Sequence, residues 1–448
     1  MSTRALRNLA PVALVFSLIA CEELEQLRDR GRPGTPHEVY AEGLHRAGLD
    51  QSALGRGWVA AARHAMVAPV PVTLPFNETS YFPPNDARAV GYRVVLRRGQ
   101  RIVIDAERAE GSGARVFIDV FSVLSDGQTR SVRAGVLDSM PVSITRESDD
   151  TSYVIRIQPE LLASARTTLR VRVEPVLAFP LSGGTNRNVQ SFWGAPRDGG
   201  RRSHQGVDIF APRGTPVLAV TPGWISHVGT SRLGGNVIFL RDSHGRQNIY
   251  YAHLETQLVN DGQQVEIGDT IGTVGTSGNA RGTPPHLHFG IYRRGYGAID
   301  PLHFIRRLDG APAPLRADTT LLGELARATR SGADVRIAPE EGAAVRVKLG
   351  HQTPMHIEGA SGSWYRVRLG DGSTGYVAAK AAESLADPIR TVAVRAGDVL
   401  RERPDSLAIA MVSLDSLGAE RSLPVVAAVE GFYLVRTGNG ATGWLQNR

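Results

Sequence analysis

Along much of this chain apolar residues recur with a period of two, the spacing that places alternate side chains of a strand on one face. Leu169, Val171 and Val173 alternate with Arg170, Arg172 and Glu174, and Ile102 and Ile104 stand between Arg101 and Asp105. Val116, Ile118 and Val120 follow the same rule, as do Tyr153, Ile155 and Ile157. Strands of this length, broken by Gly-, Asp- and Ser-rich turns, predict an antiparallel β-sandwich over residues 69–176. Ahead of Pro69-Val70-Pro71 the period changes. Leu54, Trp58, Ala61, Ala62 and Ala65 recur at helical spacing, so a small helical pair is expected within 37–67, and the polar stretch from 22 to about 35 reads as a tether.

The C-terminal 130 or so residues repeat themselves. Trp364-Tyr365-Arg366-Val367-Arg368-Leu369-Gly370-Asp371-Gly372 aligns, after a shift of 68, with Phe432-Tyr433-Leu434-Val435-Arg436-Thr437-Gly438-Asn439-Gly440. Asp-Gly and Asn-Gly between alternating segments predict hairpins. Val335-Arg336-Ile337-Ala338-Pro339 and Leu400-Arg401-Glu402-Arg403-Pro404 correspond at a slightly different offset. The pattern resembles the bacterial SH3-like barrel, once over 323–386 and again over 387–448. Ala311-Pro312-Ala313-Pro314 marks a stiff linker, 309–322, ahead of the first copy.

Composition narrows the class. The 448 residues carry 42% hydrophobic and 21% charged residues, which excludes disorder, collagen and coiled coil as the overall class. A net charge of +7 is thin over this length, and no block of consecutive basic residues stands out, so nucleic acid is not an expected partner. One Cys excludes an internal disulfide framework and a four-thiolate zinc site. Its position is informative: Arg4 and Arg7 precede an apolar stretch, Leu9 to Ile19, that is too short to span a bilayer and is followed by Leu18-Ile19-Ala20-Cys21. The last four residues resemble the lipobox of bacterial lipoproteins. That resemblance implies removal of residues 1–20, lipidation of Cys21, anchorage to a membrane through it, and a periplasmic place in the cell envelope.

The histidines carry the chemistry. His204-Gln205-Gly206-Val207-Asp208 sets an imidazole and a carboxylate four residues apart, and His286-Leu287-His288 sets two imidazoles on one face of a strand with Leu287 beneath. Tyr250-Tyr251-Ala252-His253-Leu254 lies between them. A catalytic zinc requires three N/O ligands and an open position, and two imidazoles with one carboxylate leave the ion net positive and a good Lewis acid. His227, His244 and His303 lack partner spacing and read as solvated or structural; His351 and His356 are assigned to the first barrel.

Taken together, residues 201–290, from Arg202-Ser203-His204-Gln205-Gly206-Val207-Asp208 to Thr283-Pro284-Pro285-His286-Leu287-His288-Phe289, closely resemble the lysostaphin-type (LytM-like) zinc metallopeptidases. The resemblance implies an antiparallel-β fold over 177–308, with a narrow groove that cleaves peptide bonds of peptidoglycan. It places His204, Asp208 and His288 as Zn2+ ligands, His253 and His286 as the two catalytic histidines, and Asn236 near the site as a substrate-binding or supporting residue. The fold class expected is mainly β and multidomain: a β-sandwich, the zinc peptidase domain, two small SH3-like barrels and a short N-terminal helical segment (21–68 with its tether). The expected reaction is hydrolysis of peptidoglycan cross-links by a metal-activated water, with a D,D bond favoured because a lipoprotein signal suits a diderm envelope. Two alternatives stand beside it, a non-catalytic regulator of cell-wall amidases and a peptidoglycan-binding envelope anchor. A regulatory protein partner is left open. The wider His–Asp spacing of D-alanyl-D-alanine carboxypeptidases argues against that family.

Overall fold

A computed structural model describes residues 34–447 apart from 110–112, 138–141, 148–150, 244, 246, 308–310, 396 and 414–421. The signal segment, Cys21, the 22–33 part of the tether, His244 and residues 309–310 of the linker lie outside the described residues. Among the described residues no helix is long and apolar enough to cross a membrane.

Two helices open the described chain. The first, α1 (Pro36–Arg46), is started by a capping box in which Thr35 accepts from the Glu38 amide and Glu38 accepts from the Thr35 amide, with Pro36 preset in the first turn. The second, α2 (Ala53–Val67), is capped by Ser52 and turns Gly55, Trp58, Ala62 and Ala65 inward. Both pack on the outside of the sandwich. The Trp58 indole donates to Pro159 O at 2.8 Å, and His37 stacks on Trp58 while bonding Gln158 at 2.7 Å.

The alternating segments form the sandwich. One sheet runs in the order Val70–Pro71, Val90–Val95, Ser152–Pro159, Val116–Val123, Thr129–Leu137. The facing sheet contains Val142–Glu147, Gln100–Arg108, Ala165–Pro175 and Phe76–Phe82. Ile102, Ile104, Val116, Ile118, Val120, Ile155, Ile157, Leu169 and Val171 meet between the two sheets, each 0–1% exposed. At about 1.5–3 kcal/mol for each large aliphatic side chain, this burial is the main favourable term holding the sandwich.

The second sheet does not end at the sandwich. Phe76–Phe82 also pairs with Pro354–Ser361 of the first barrel, Thr79 opposite Ala360 and Ser80 opposite Gly359, so one sheet of eleven strands runs through both units. The first barrel packs Val335, Ile357, Val367 and Val377 inward. The second repeats its wiring: the hairpin Trp364–Arg368/Thr374–Ala378 has its counterpart in Phe432–Arg436/Thr442–Gln446, and the bridge Arg336↔Tyr376 has its counterpart in Arg401↔Trp444.

Between sandwich and barrels in sequence lies a sheet of ten strands. Its central order is Val189–Ser191, Val207–Phe210, His286–Arg293, Gln247–Gln257, Gly235–Asp242, Gly223–Ser231. One face covers a dense core that includes Val207, Ile209, Ile238, Tyr251, Leu254, Leu287 and Phe289, all fully buried. The other face is open and carries the histidines.

Candidate metal centre and groove

Strand register brings the separated motifs together. Asp208 lies opposite His288, and Phe210 opposite His286, while Ala252 faces His288 from the other side. Val207 and Ile209 point into the core, so Asp208 between them must point out; Leu287 does the same for His286 and His288.

His253 obeys a different rule. Tyr251 is a core residue, and in a regular strand His253, two positions on, would follow it inward. The strand is bulged here: the register shifts between Asn236↔Leu254 and Ile238↔Tyr251, so Ala252 and His253 together oppose Val237. His253 takes a left-handed φ of +62°, a strained conformation for a non-glycine residue, and so reaches the groove while Leu254 returns to the core. The close approach of the 277 loop supports this turn. Gly235 has φ +63°, and a Cβ there would meet the Ser277 backbone at 2.3 Å.

Three ligand-type atoms converge. His204 Nε2 and His288 Nδ1 are each 3.0 Å from Asp208 Oδ1 and 3.0 Å from one another. His204 Nδ1 donates to the Phe192 carbonyl at 2.9 Å, which leaves Nε2 as its lone-pair nitrogen. Electron-rich atoms crowded this closely fit a shared cation. Tetrahedral ligands at zinc distances of about 2.0–2.1 Å stand only about 3.3 Å apart. The donor set of two imidazoles and a carboxylate, mostly buried, fits Zn2+.

Burial alone would raise the Asp208 carboxyl; the close polar contacts of His204 and His288 outweigh it and hold it well below the usual carboxylate range. His288 is pushed below the ordinary imidazole value by burial, with Asp208 pulling the other way. His253 is lowered to about 4, by burial first and then by the neighbouring His288 and His286. Ionised Asp208 beside neutral His288 and His253 is the protonation pattern a metal site requires.

The two remaining histidines are oriented alike. His253 Nδ1 donates to Ser277 O at 3.0 Å and His286 Nδ1 to Pro284 O at 2.8 Å, so each keeps Nε2 available for proton transfer. Their rings are 5.0 Å apart. Asn236 stands one layer out. Its Nδ2 donates to Leu254 O at 3.1 Å and Glu255 O at 3.2 Å, and its amide donates to Ser277 Oγ, so it braces the bulge and the loop that orient His253. The five titratable residues all line a groove of about 690 Å³; Asn236 does not.

Other groove residues were not singled out by sequence. Ser191 and Arg197 contact the centre, and Tyr250 and Tyr292 extend its floor. Arg197 is hidden in a chain where arginine is the usual cation; only its place seven residues ahead of His204 could have drawn notice. His227 is exposed beyond this floor, its ring 6.1 Å from Phe239.

The peptidase family M23 model matches residues 202–301, and the bacterial SH3 domain model matches 330–381. Over 140 residues the chain is 41% identical to the L-Ala–D-Glu endopeptidase of Bacillus subtilis, covering 29% of this chain and 43% of that protein. Over 97 residues it is 39% identical to the peptidoglycan DD-endopeptidase ShyC of Vibrio cholerae, covering 21% of each. The catalytic domain of lysostaphin from Staphylococcus simulans is 35% identical over 26% of this chain and 92% of that one, with a TM-score of 0.24. The chain thus spans less than half the length of these curated relatives.

Proposed function

From a chain that carries a peptidase family M23 domain and a bacterial SH3 domain, we propose a zinc-dependent endopeptidase of peptidoglycan, attached to the envelope membrane through a lipidated Cys21. The observation that supports it most is the convergence of His204 Nε2, Asp208 Oδ1 and His288 Nδ1 beside two imidazoles whose Nδ1 atoms are already bonded to carbonyls.

His204, Asp208 and His288 would hold the ion. Zinc bound there supplies Lewis acidity to activate a water and polarise the scissile carbonyl. His253 and His286 move the protons: Nε2 of one accepts from the attacking water, while the other donates a hydrogen bond to the developing oxyanion. The fixed Nδ1–H bond leaves Nε2 of the accepting ring with its lone pair, while the ring that donates to the oxyanion must carry a second proton on Nε2. The half-buried Tyr250 and Tyr292 flank the peptide on the groove floor and exclude part of its water. Asn236 keeps His253 in place.

The scissile bond is the finer question, and the relatives' own names divide over it. We favour a D,D cross-link on the strength of the lipobox. The complete ligand and histidine set weighs against a purely non-catalytic regulator of amidases. The SH3 match supports wall binding by the barrels, which on this reading serve the peptidase by holding it at its substrate.

The test is a digest of purified sacculi by the chain lacking residues 1–21, with zinc, with a chelator, and with His204→Ala, read by mass spectrometry of muropeptides. Conversion of cross-linked dimers to monomers, abolished by chelator and variant, is expected. Products cut within the stem would keep the peptidase and replace the D,D assignment. No cleavage by protein shown to contain zinc would overturn the proposal.

A further inference from the structure

The two oxygens of Asp208 have different partners. Oδ1 meets His204 Nε2 and His288 Nδ1, whereas Oδ2 accepts from Arg197 Nη2 at 2.7 Å. The same guanidinium nitrogen donates to Ser191 Oγ at 2.6 Å, and that hydroxyl lies 3.4 Å from His204 Nδ1. Ser191 is the strand neighbour of Asp208. Arg197 therefore ties together the supports of two candidate ligands.

Its own placement is built in. Arg197 sits on a two-stranded ribbon, Pro196–Arg197 against Arg202–Ser203, and the ribbon is clamped to the centre by reciprocal bonds, Gly194 N to His204 O and His204 N to Ala195 O, both 2.9 Å. The nearby Asp198 carboxylate bonds Arg202, so it does not compete for Arg197. The Asp208 side chain is only 10% exposed, and water cannot easily replace the guanidinium at Oδ2.

We propose that Arg197 is a positioning residue that makes Asp208 a one-oxygen ligand, holding Oδ2 so that Oδ1 alone faces the metal. The idea rests on His204, Asp208 and His288 being the zinc ligands. Without Arg197 the carboxylate is free to rotate, to bind through both oxygens, or to turn toward other donors. Its charge opposes an incoming dication, so the net sign of its effect is itself diagnostic: a role in orientation predicts weaker zinc binding on its removal, and simple charge repulsion predicts tighter binding. Partners of this kind around a ligand typically change metal affinity by about 10–100-fold.

The experiment measures zinc affinity by competition with a chromophoric chelator for the wild-type chain lacking residues 1–21, Arg197→Ala, Arg197→Lys and Ser191→Ala. Thermal unfolding of the zinc-free proteins runs beside it. Arg197→Ala should bind zinc about 10–100-fold more weakly while the zinc-free protein still unfolds in one cooperative transition. Arg197→Lys, which keeps one donor and the charge, should recover part of the loss, and Ser191→Ala should lose less than Arg197→Ala. Affinity within about twofold of wild type for both arginine variants, or tighter binding by Arg197→Ala, overturns the inference; unchanged zinc affinity with a raised KM would assign Arg197 to substrate instead. If the Ala variant fails to fold, the Lys variant carries the decision. A wild-type chain that takes up no zinc would sink the proposed function rather than this step.

Discussion

The two barrels share one hairpin pattern yet join their neighbours by opposite chemistry. Each has a bulge at the same place in the repeat, leaving Glu358 unpaired in the first and Val426 in the second. Eight residues on, Arg366 corresponds to Leu434; further along, Tyr376 corresponds to Trp444. In the first barrel this face meets the sandwich through buried charge. Arg366 donates to Glu78 at 2.8 Å, to Glu358 at 2.8 Å and to Ser80 at 3.0 Å, and the Tyr92 and Tyr376 hydroxyls both donate to Glu78. In the second the side chains of the same face are apolar, and the buried Arg327 of the first barrel reaches it by donating to the Val426 carbonyl at 2.9 Å. Leu434, Val426 and Ala427 pack with Leu385 and Leu325 at the junction with the first barrel. One topology thus serves as an ionic clasp or a greasy one, depending on three side chains. A buried ionic clasp loses heavily when one partner is removed, while an apolar clasp loses in proportion to the volume deleted.

The largest effect should come from Glu78→Ala, which takes one of two carboxylate partners from Arg366 and the acceptor from the buried Tyr376 hydroxyl: about 3–5 kcal/mol at the sandwich–barrel junction, measured by urea unfolding. A loss below about 1 kcal/mol would mean that water reaches the cluster and that the junction is not closed. Leu434→Ala should cost about 2–4 kcal/mol and loosen the second barrel first, detectable as hydrogen exchange there before the sandwich. Alkaline pH separates the clasps further. Burial pushes the Tyr92 and Tyr376 hydroxyls well above their ordinary value. Above about pH 10 the unfolded chain releases phenolic protons that the folded chain keeps, so stability falls by about 1.4 kcal/mol per pH unit per phenol. Tyr376→Phe should flatten that slope; an unchanged slope would place the titration elsewhere. The smallest net change is expected when Glu78→Leu, Glu358→Val and Arg366→Leu are combined with Tyr92→Phe and Tyr376→Phe, so that no buried hydroxyl loses its acceptor. The combined variant should unfold within about 1 kcal/mol of wild type, and a loss as large as that of Glu78→Ala would show that the ionic pairing itself is needed.

The clasp also bears on dissecting function. Removing both barrels would take away the strand pair that continues the sandwich sheet and leave Glu78 without Arg366. A wall-binding experiment is cleaner when it removes only 387–448, at the junction between the barrels.

Legibility differed between parts of the molecule for physical reasons. Alternating positions such as Ile102, Ile104, Leu169 and Val171 revealed the sandwich because each strand buries one face. Asp208, His286 and His288 were legible because period-two spacing sets their faces before any long-range pairing is known, whereas His204 lies ahead of the strand Val207–Phe210 and was placed by the resemblance. His253 was recognisable by resemblance alone: its parity with Tyr251 would put it in the core, and only the bulge opposite Val237 turns it out. Asn236 likewise shows its bracing bonds only once the 277 loop has docked.

What the sequence determined by itself was therefore local: strand and helix periods, the hairpin repeats, and the residue types able to hold a divalent metal. The tertiary structure decided what depends on registers between distant segments. Among these are the 3.0 Å convergence of three ligand-type atoms, the division of Asp208 between the candidate metal site and Arg197, and the pairing of Phe76–Phe82 with a strand some 280 residues later. Period and propensity act over a few residues. The meeting of two strand edges, or of Arg366 with Glu78, is set by which buried groups must find partners once the whole chain has closed around them.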